Sequence, residues 1–61
     1  MRTKVYYIDN TNEANDTINY VIDNYICFVT TKTIEMNYLE VTITCRVEDL
    51  LAIENCLKDY V

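Results

Sequence analysis

Sixty-one residues make one domain at most, and a chain this short buries only about 60% of the surface its unfolded form exposes. Ten carboxylates against five basic residues leave a net charge of −5, which sets the chain against phosphate backbones and anionic membranes and argues against direct nucleic-acid binding. His, Gly and Pro are absent. Without them there is no side chain that titrates near neutral pH by default, no phosphate-cradling loop and no nucleophile elbow, so neither catalysis nor a cofactor is expected.

Strand character comes first. Thr3 to Asp9, TKVYYID, is β-branched and aromatic, and the unbroken run Val5, Tyr6, Tyr7, Ile8 predicts a strand covered on both faces or touching something outside the domain. Asn10, Thr11 and Asn12 then cluster as turn residues. Asn10 with Glu13 has part of the capping-box pattern, and Asn12 is an equally good cap. From Glu13 to about Asn24 the apolar residues Ala14, Ile18, Val21, Ile22 and Tyr25 fall at helical spacing, with Asp16, Asn19 and Asp23 opposite. The segment is rich in Asn, Asp and Thr, so this helix depends on docking more than on its own preference.

Residues 26–34, ICFVTTKTI, read as a second strand. A turn is expected within Glu35 to Tyr38, with Asn37 as the residue best able to take a left-handed conformation. Residues 39–47, LEVTITCRV, alternate without exception. Leu39, Val41, Ile43, Cys45 and Val47 share one face, and Glu40, Thr42, Thr44 and Arg46 the other. A final helix begins at Glu48 and Asp49, whose carboxylates suit its N-terminal dipole, and runs through Leu50, Leu51, Ile53, Leu57, Tyr60 and Val61, with Lys58 in its last turn.

The order β-α-β-β-α predicts a single α+β domain over residues 1–61, a three-stranded sheet with two helices packed on one face. A ferredoxin-like fold shows this order before its last strand, which is missing here. That leaves a sheet edge unpaired. With no Pro or Gly to blunt it, the edge is expected to pair in the functional state, in a homodimer or with a partner's strand.

The cysteines, Cys27, Cys45 and Cys56, have no close pair and no His to join them, so no metal site is expected. Odd in number and embedded in regular elements, they read as small buried hydrophobes, not as disulfides. No apolar run approaches the ~20 residues of a membrane span, and MRTKVYYIDN lacks a hydrophobic signal core, so a cytoplasmic protein is expected.

The remaining candidates are contact residues. Asp16, Asp23, Glu54 and Asp59 lie on the outer helix faces, where carboxylates keep a small protein soluble or form a negative surface for a basic partner. Tyrosine is enriched at interfaces. Tyr20 stands off its helix's apolar stripe, Tyr38 falls in the turn and Tyr6 fits either side, while Tyr25 and Tyr60 fit inward stripes. Glu40 and Arg46, with Thr31 and Thr33 beside them, are expected on a sheet face that no helix covers.

These features predict a small acidic modulator that covers a site on a larger, basic-surfaced protein. The richness in Asn, Ile, Thr and Tyr resembles the products of AT-rich genomes, among which small bacteriophage inhibitors of host nucleases, toxins or transcription components are common. Mimicry of nucleic-acid charge is one form of such inhibition. A ligand-sensing or structural dimerisation domain is the alternative.

Overall fold

The computed structural model describes residues 1–61 and carries five regular elements: β1 (Arg2–Asp9), α1 (Asn12–Asn24), β2 (Cys27–Glu35), β3 (Tyr38–Cys45) and α2 (Val47–Leu57). The sheet order is β1-β3-β2, and both outer strands run antiparallel to β3. β1 and β2 are therefore parallel to each other but separated by the strand that comes after them. This is the ferredoxin-like order without its last strand, as the sequence pattern predicts.

Alternation along β3 decides which side of the sheet becomes the interior. Leu39, Val41, Ile43 and Cys45 are buried, and the register sets Ile8 of β1 against Leu39 and Tyr6 against Val41, so the even-numbered residues of β1 join the same side. Both helices pack there. α1 contributes Ala14, Ile18 and Val21, and α2 contributes Ile53 and Leu57, closing a core of 11 buried residues. Full burial of a side chain such as Ile or Leu is worth about 1.5–3 kcal/mol, and this one layer is the main source of stability.

Several local details differ from the sequence expectation. The helix cap is Thr11, whose Oγ1 accepts from the Ala14 N–H at 3.1 Å. Asn10 accepts from the Asn15 side-chain amide at 3.0 Å instead, and Asn12 is already helical. The β2–β3 connection needs no left-handed residue, since none in the chain has positive φ. A register shift between Thr33 and Glu35 precedes the connection, and the Asn37 carbonyl accepts from the Asn10 N–H at 2.7 Å, tying this turn to the end of β1.

The alternation of LEVTITCRV also outlasts the strand it predicts. β3 stops at Cys45, Arg46 caps α2 and Val47 is its first residue. Arg46 turns away from the sheet because its guanidinium reaches the carboxylates of Asp49 at 2.8 Å and Glu48 at 3.6 Å. Lys58 is the C-cap of α2, just past its last turn. All three cysteines are free, with Cys45 buried and Cys27 and Cys56 half-buried.

The central position of Ile43 makes it the sharpest test of this core. Ile43→Ala is expected to cost about 2–5 kcal/mol, a large fraction of what so small a domain has, whereas Ile22→Ala on the exposed side of α1 stays within about 0.5 kcal/mol. Urea titration followed by circular dichroism reads both; equal midpoints for the two variants would overturn the assignment of the interior.

Candidate functional site

Because both helices lie on one side, the other face of the sheet is bare. Strand register arranges it in cross-strand rows: Thr3–Thr44–Phe28, Val5–Thr42–Thr30, Tyr7–Glu40–Lys32 and Asp9–Tyr38–Glu35. Four large side chains stand out from it, with Phe28 61%, Tyr7 52%, Tyr38 45% and Val5 43% exposed. Between them run threonines. The hydroxyls of Thr3 and Thr44 meet at 2.8 Å, and the Tyr7 hydroxyl donates to Glu40 Oε1 at 3.1 Å. That hydrogen bond, together with the carboxylate charge, pushes the Tyr7 pKa up.

This surface has the composition of a protein contact. Aromatic residues supply large contact area with little rotamer freedom to lose, threonines supply adaptable hydrogen bonds, and the charged row Tyr7–Glu40–Lys32 crosses the middle. Tyr38 and Glu40, picked out from the sequence, both lie on it. Tyr38 reaches it as the first residue of β3, not as a turn residue.

Other expected members are elsewhere. Tyr6 is only 7% exposed and lies on the helix side, where its hydroxyl finds no partner and burial pushes its pKa up. Its neighbour Tyr7 takes the place on the open face. Thr31 and Thr33 pair with Val41 and Leu39 and so face the helices, leaving Thr30 and Lys32 on the bare side. Arg46 stands at the start of α2. Phe28, the most exposed of the four, has no distinguishing mark in the apolar run ICFV; only the half-burial of Cys27 and Val29 against the core fixes which way it points.

The acidic residues of the two helices lie apart. The carboxylates of Glu13, Asp16 and Asp23, with Tyr20 between them, are exposed and recur along α1 at intervals of three, four and three positions, a stripe within an arc of about 80° and about 15 Å long. α1 contains no basic residue and none of these carboxylates has an ion-pair partner. Glu54 belongs to the other side of the molecule. It pairs with Lys4 of β1 and raises the lysine's pKa, chiefly through their hydrogen bond. The two residues share a cleft of about 340 Å³ with Tyr6, Lys58 and Val61. Asp59 is exposed just beyond α2.

No group of three or more His, Cys, Asp or Glu side chains converges as metal ligands would, and no helix is long and apolar enough to cross a membrane. No protein-family model, curated protein or solved structure matches this chain.

The titrating groups supply a measurable signature. Tyr6, Tyr7 and Tyr25, the Cys27 thiol and the Lys4 ammonium all hold their protons more tightly in the folded chain than their ordinary values of 10.0, 9.0 and 10.5. Burial is the main cause for Tyr6, Tyr25 and Cys27, and hydrogen bonding to a carboxylate for Tyr7 and Lys4. Their stabilisation is complete below those ordinary values and is lost as pH rises through the higher folded ones. The thermal midpoint is therefore expected to fall as the pH is raised from about 9 into the range above these ordinary values, less steeply in Tyr7→Phe. A midpoint that stays level over that range contradicts these environments.

Proposed function

We propose that this chain is a small acidic protein-binding modulator that covers a site on a larger, basic-surfaced protein, with the bare sheet face as its contact area. The observation behind it is the exposure of Phe28, Tyr7, Tyr38 and Val5 on one flat surface that the chain's own helices leave free. Interfaces concentrate their binding energy in a few aromatic anchors surrounded by groups that exclude water, and this face offers three aromatics among threonines.

The acidic stripe of α1 then serves recognition at longer range. A surface of one sign speeds encounter with a basic partner and repels acidic competitors. Literal mimicry of a phosphate backbone has less support. Glu13 and Asp16 are about 4.5 Å apart along the helix axis and Asp16 and Asp23 about 10.5 Å, against about 3.4 Å between successive phosphates of one strand. Within this proposal, a bacteriophage-type inhibitor of a host nuclease, toxin or transcription component is the specific form that the chain's composition and size favour. A ligand-sensing or structural dimerisation domain is the competing class, and the unpaired edge of β1 is the feature that speaks for it.

Capture from bacterial lysate with paired variants separates the contact face from the charged stripe. The wild type is expected to retain one stoichiometric protein, and Phe28→Ser with Tyr38→Ser to lose at least about tenfold in affinity. Asp16→Asn with Asp23→Asn is expected chiefly to flatten the salt dependence of binding. Identical capture by the folded sheet-face variant would remove the proposal.

A further inference from the structure

We infer that two copies of this chain pair through their β1 edges, antiparallel about a twofold axis at Val5, to form one continuous six-stranded sheet. The backbone shows which groups are free for this. The Asp9 N–H points away from β3 and donates to the Tyr60 carbonyl at 3.1 Å. Backbone groups alternate sides along a strand, so Thr3, Val5 and Tyr7 face outward like Asp9, while Lys4, Tyr6 and Ile8 bond to β3. None of the bonds outside the helices and the sheet involves Thr3, Val5 or Tyr7. Three residues of the edge are left with unpaired donors and acceptors, and the Tyr60 carbonyl marks where that free stretch ends.

Charge favours a second copy at this edge over any other part of the surface. Two chains of net charge −5 repel, but three of the five basic residues, Arg2, Lys4 and Lys58, lie on β1 or in the cleft beside it. Lys4 is the inward-pointing charge that ordinarily guards an edge, and Glu54 neutralises it. At the opposite edge, β2 pairs regularly from Cys27 to Thr33 and carries none of this cluster of cations; its register shift between Thr33 and Glu35 bends only the end next to the turn.

Among the registers centred on Lys4, Val5 and Tyr6, the one on Val5 uses the free groups best. Centring on Lys4 sets two lysines directly opposite each other, which is unfavourable. Centring on Tyr6 requires the outward group of Asp9, which Tyr60 already occupies. Centring on Val5 sets Thr3 against Tyr7, Val5 against Val5 and Tyr7 against Thr3, using every free group in about six hydrogen bonds. It also places Lys4 of each copy opposite Tyr6 of the other. The chain's own Lys4 already stands 5.7 Å from the centre of the Tyr6 ring, so the pairing adds the other copy's lysine beside the cleft that the unpartnered Tyr6 hydroxyl lines.

Sedimentation equilibrium from about 10 µM to 1 mM tests this on the whole chain. The mass of the wild type is expected to rise from 7.2 kDa towards twice that value. Val5→Pro removes an outward donor that the monomer does not use, and Val5→Lys sets two cations opposite each other at the axis. Each should weaken association at least about tenfold while circular dichroism stays native. Thr31→Pro, at the corresponding outward position of β2, should leave it unchanged. A wild type that stays monomeric throughout, or association that survives both Val5 variants, overturns the inference. Loss of association in a folded Thr31→Pro with retention in Val5→Lys would do so too, placing the contact on β2.

Discussion

Both helices of this chain cover the same side of its sheet, and the rest of the molecule follows from which side that is. Leu39, Val41, Ile43 and Cys45 of the central strand choose it, because their alternation gives β3 one apolar face and no other strand has so unambiguous a pattern. β1 and β2 take their parity from their pairing with β3. The continuous apolar run of β1 is divided by that pairing into Tyr6 and Ile8 inside, Val5 and Tyr7 outside. The same constraint that builds the interior leaves Phe28, Tyr7 and Tyr38 on the far side.

Charge is arranged around this division more than it supports it. The ion pairs of Lys4 with Glu54 and of Arg46 with Glu48 and Asp49 involve exposed groups, and such pairs contribute little compared with a buried layer of Ile, Leu and Val. Their effect is on distribution. Cations settle at the β1 edge and at the start of α2, where they cancel neighbouring carboxylates. The net negative charge is left on α1, which has no cation of its own. An open sheet face, an acidic helix stripe and an edge whose Lys4 is paired thus occupy different parts of a domain of 61 residues.

The order of elements and the interior are legible in the residues because periodicity reports burial. LEVTITC reads as a half-buried strand, and Ala14, Ile18 and Val21 read as the inner stripe of α1, without reference to coordinates. What periodicity does not carry is parity in a run such as VYYI or ICFV, where every position is apolar. There the inward residue is chosen by hydrogen-bond register with β3, a non-local fact, and so the sequence lets Tyr6 fit either side while the register sets it inside and Tyr7 outside. Arg46 shows the opposite failure. Its local alternation continues that of β3, but the strand ends at Cys45 and Arg46 becomes the N-cap of α2, where its guanidinium pairs with Glu48 and Asp49. Thr11 takes the cap from its asparagine neighbours for an equally local reason, since its side-chain oxygen is the one that meets the Ala14 N–H.

β3 is the only strand held on both edges, and one side of it carries the fold. Amide hydrogen exchange measured residue by residue in dilute solution tests this most directly. The amides of Val41, Thr42 and Ile43 should exchange slowest, only through global unfolding, while those of Thr3, Val5 and Tyr7 on the outer edge of β1 exchange fast. Equal protection of the Val5 and Ile43 amides in the dilute monomer would contradict it.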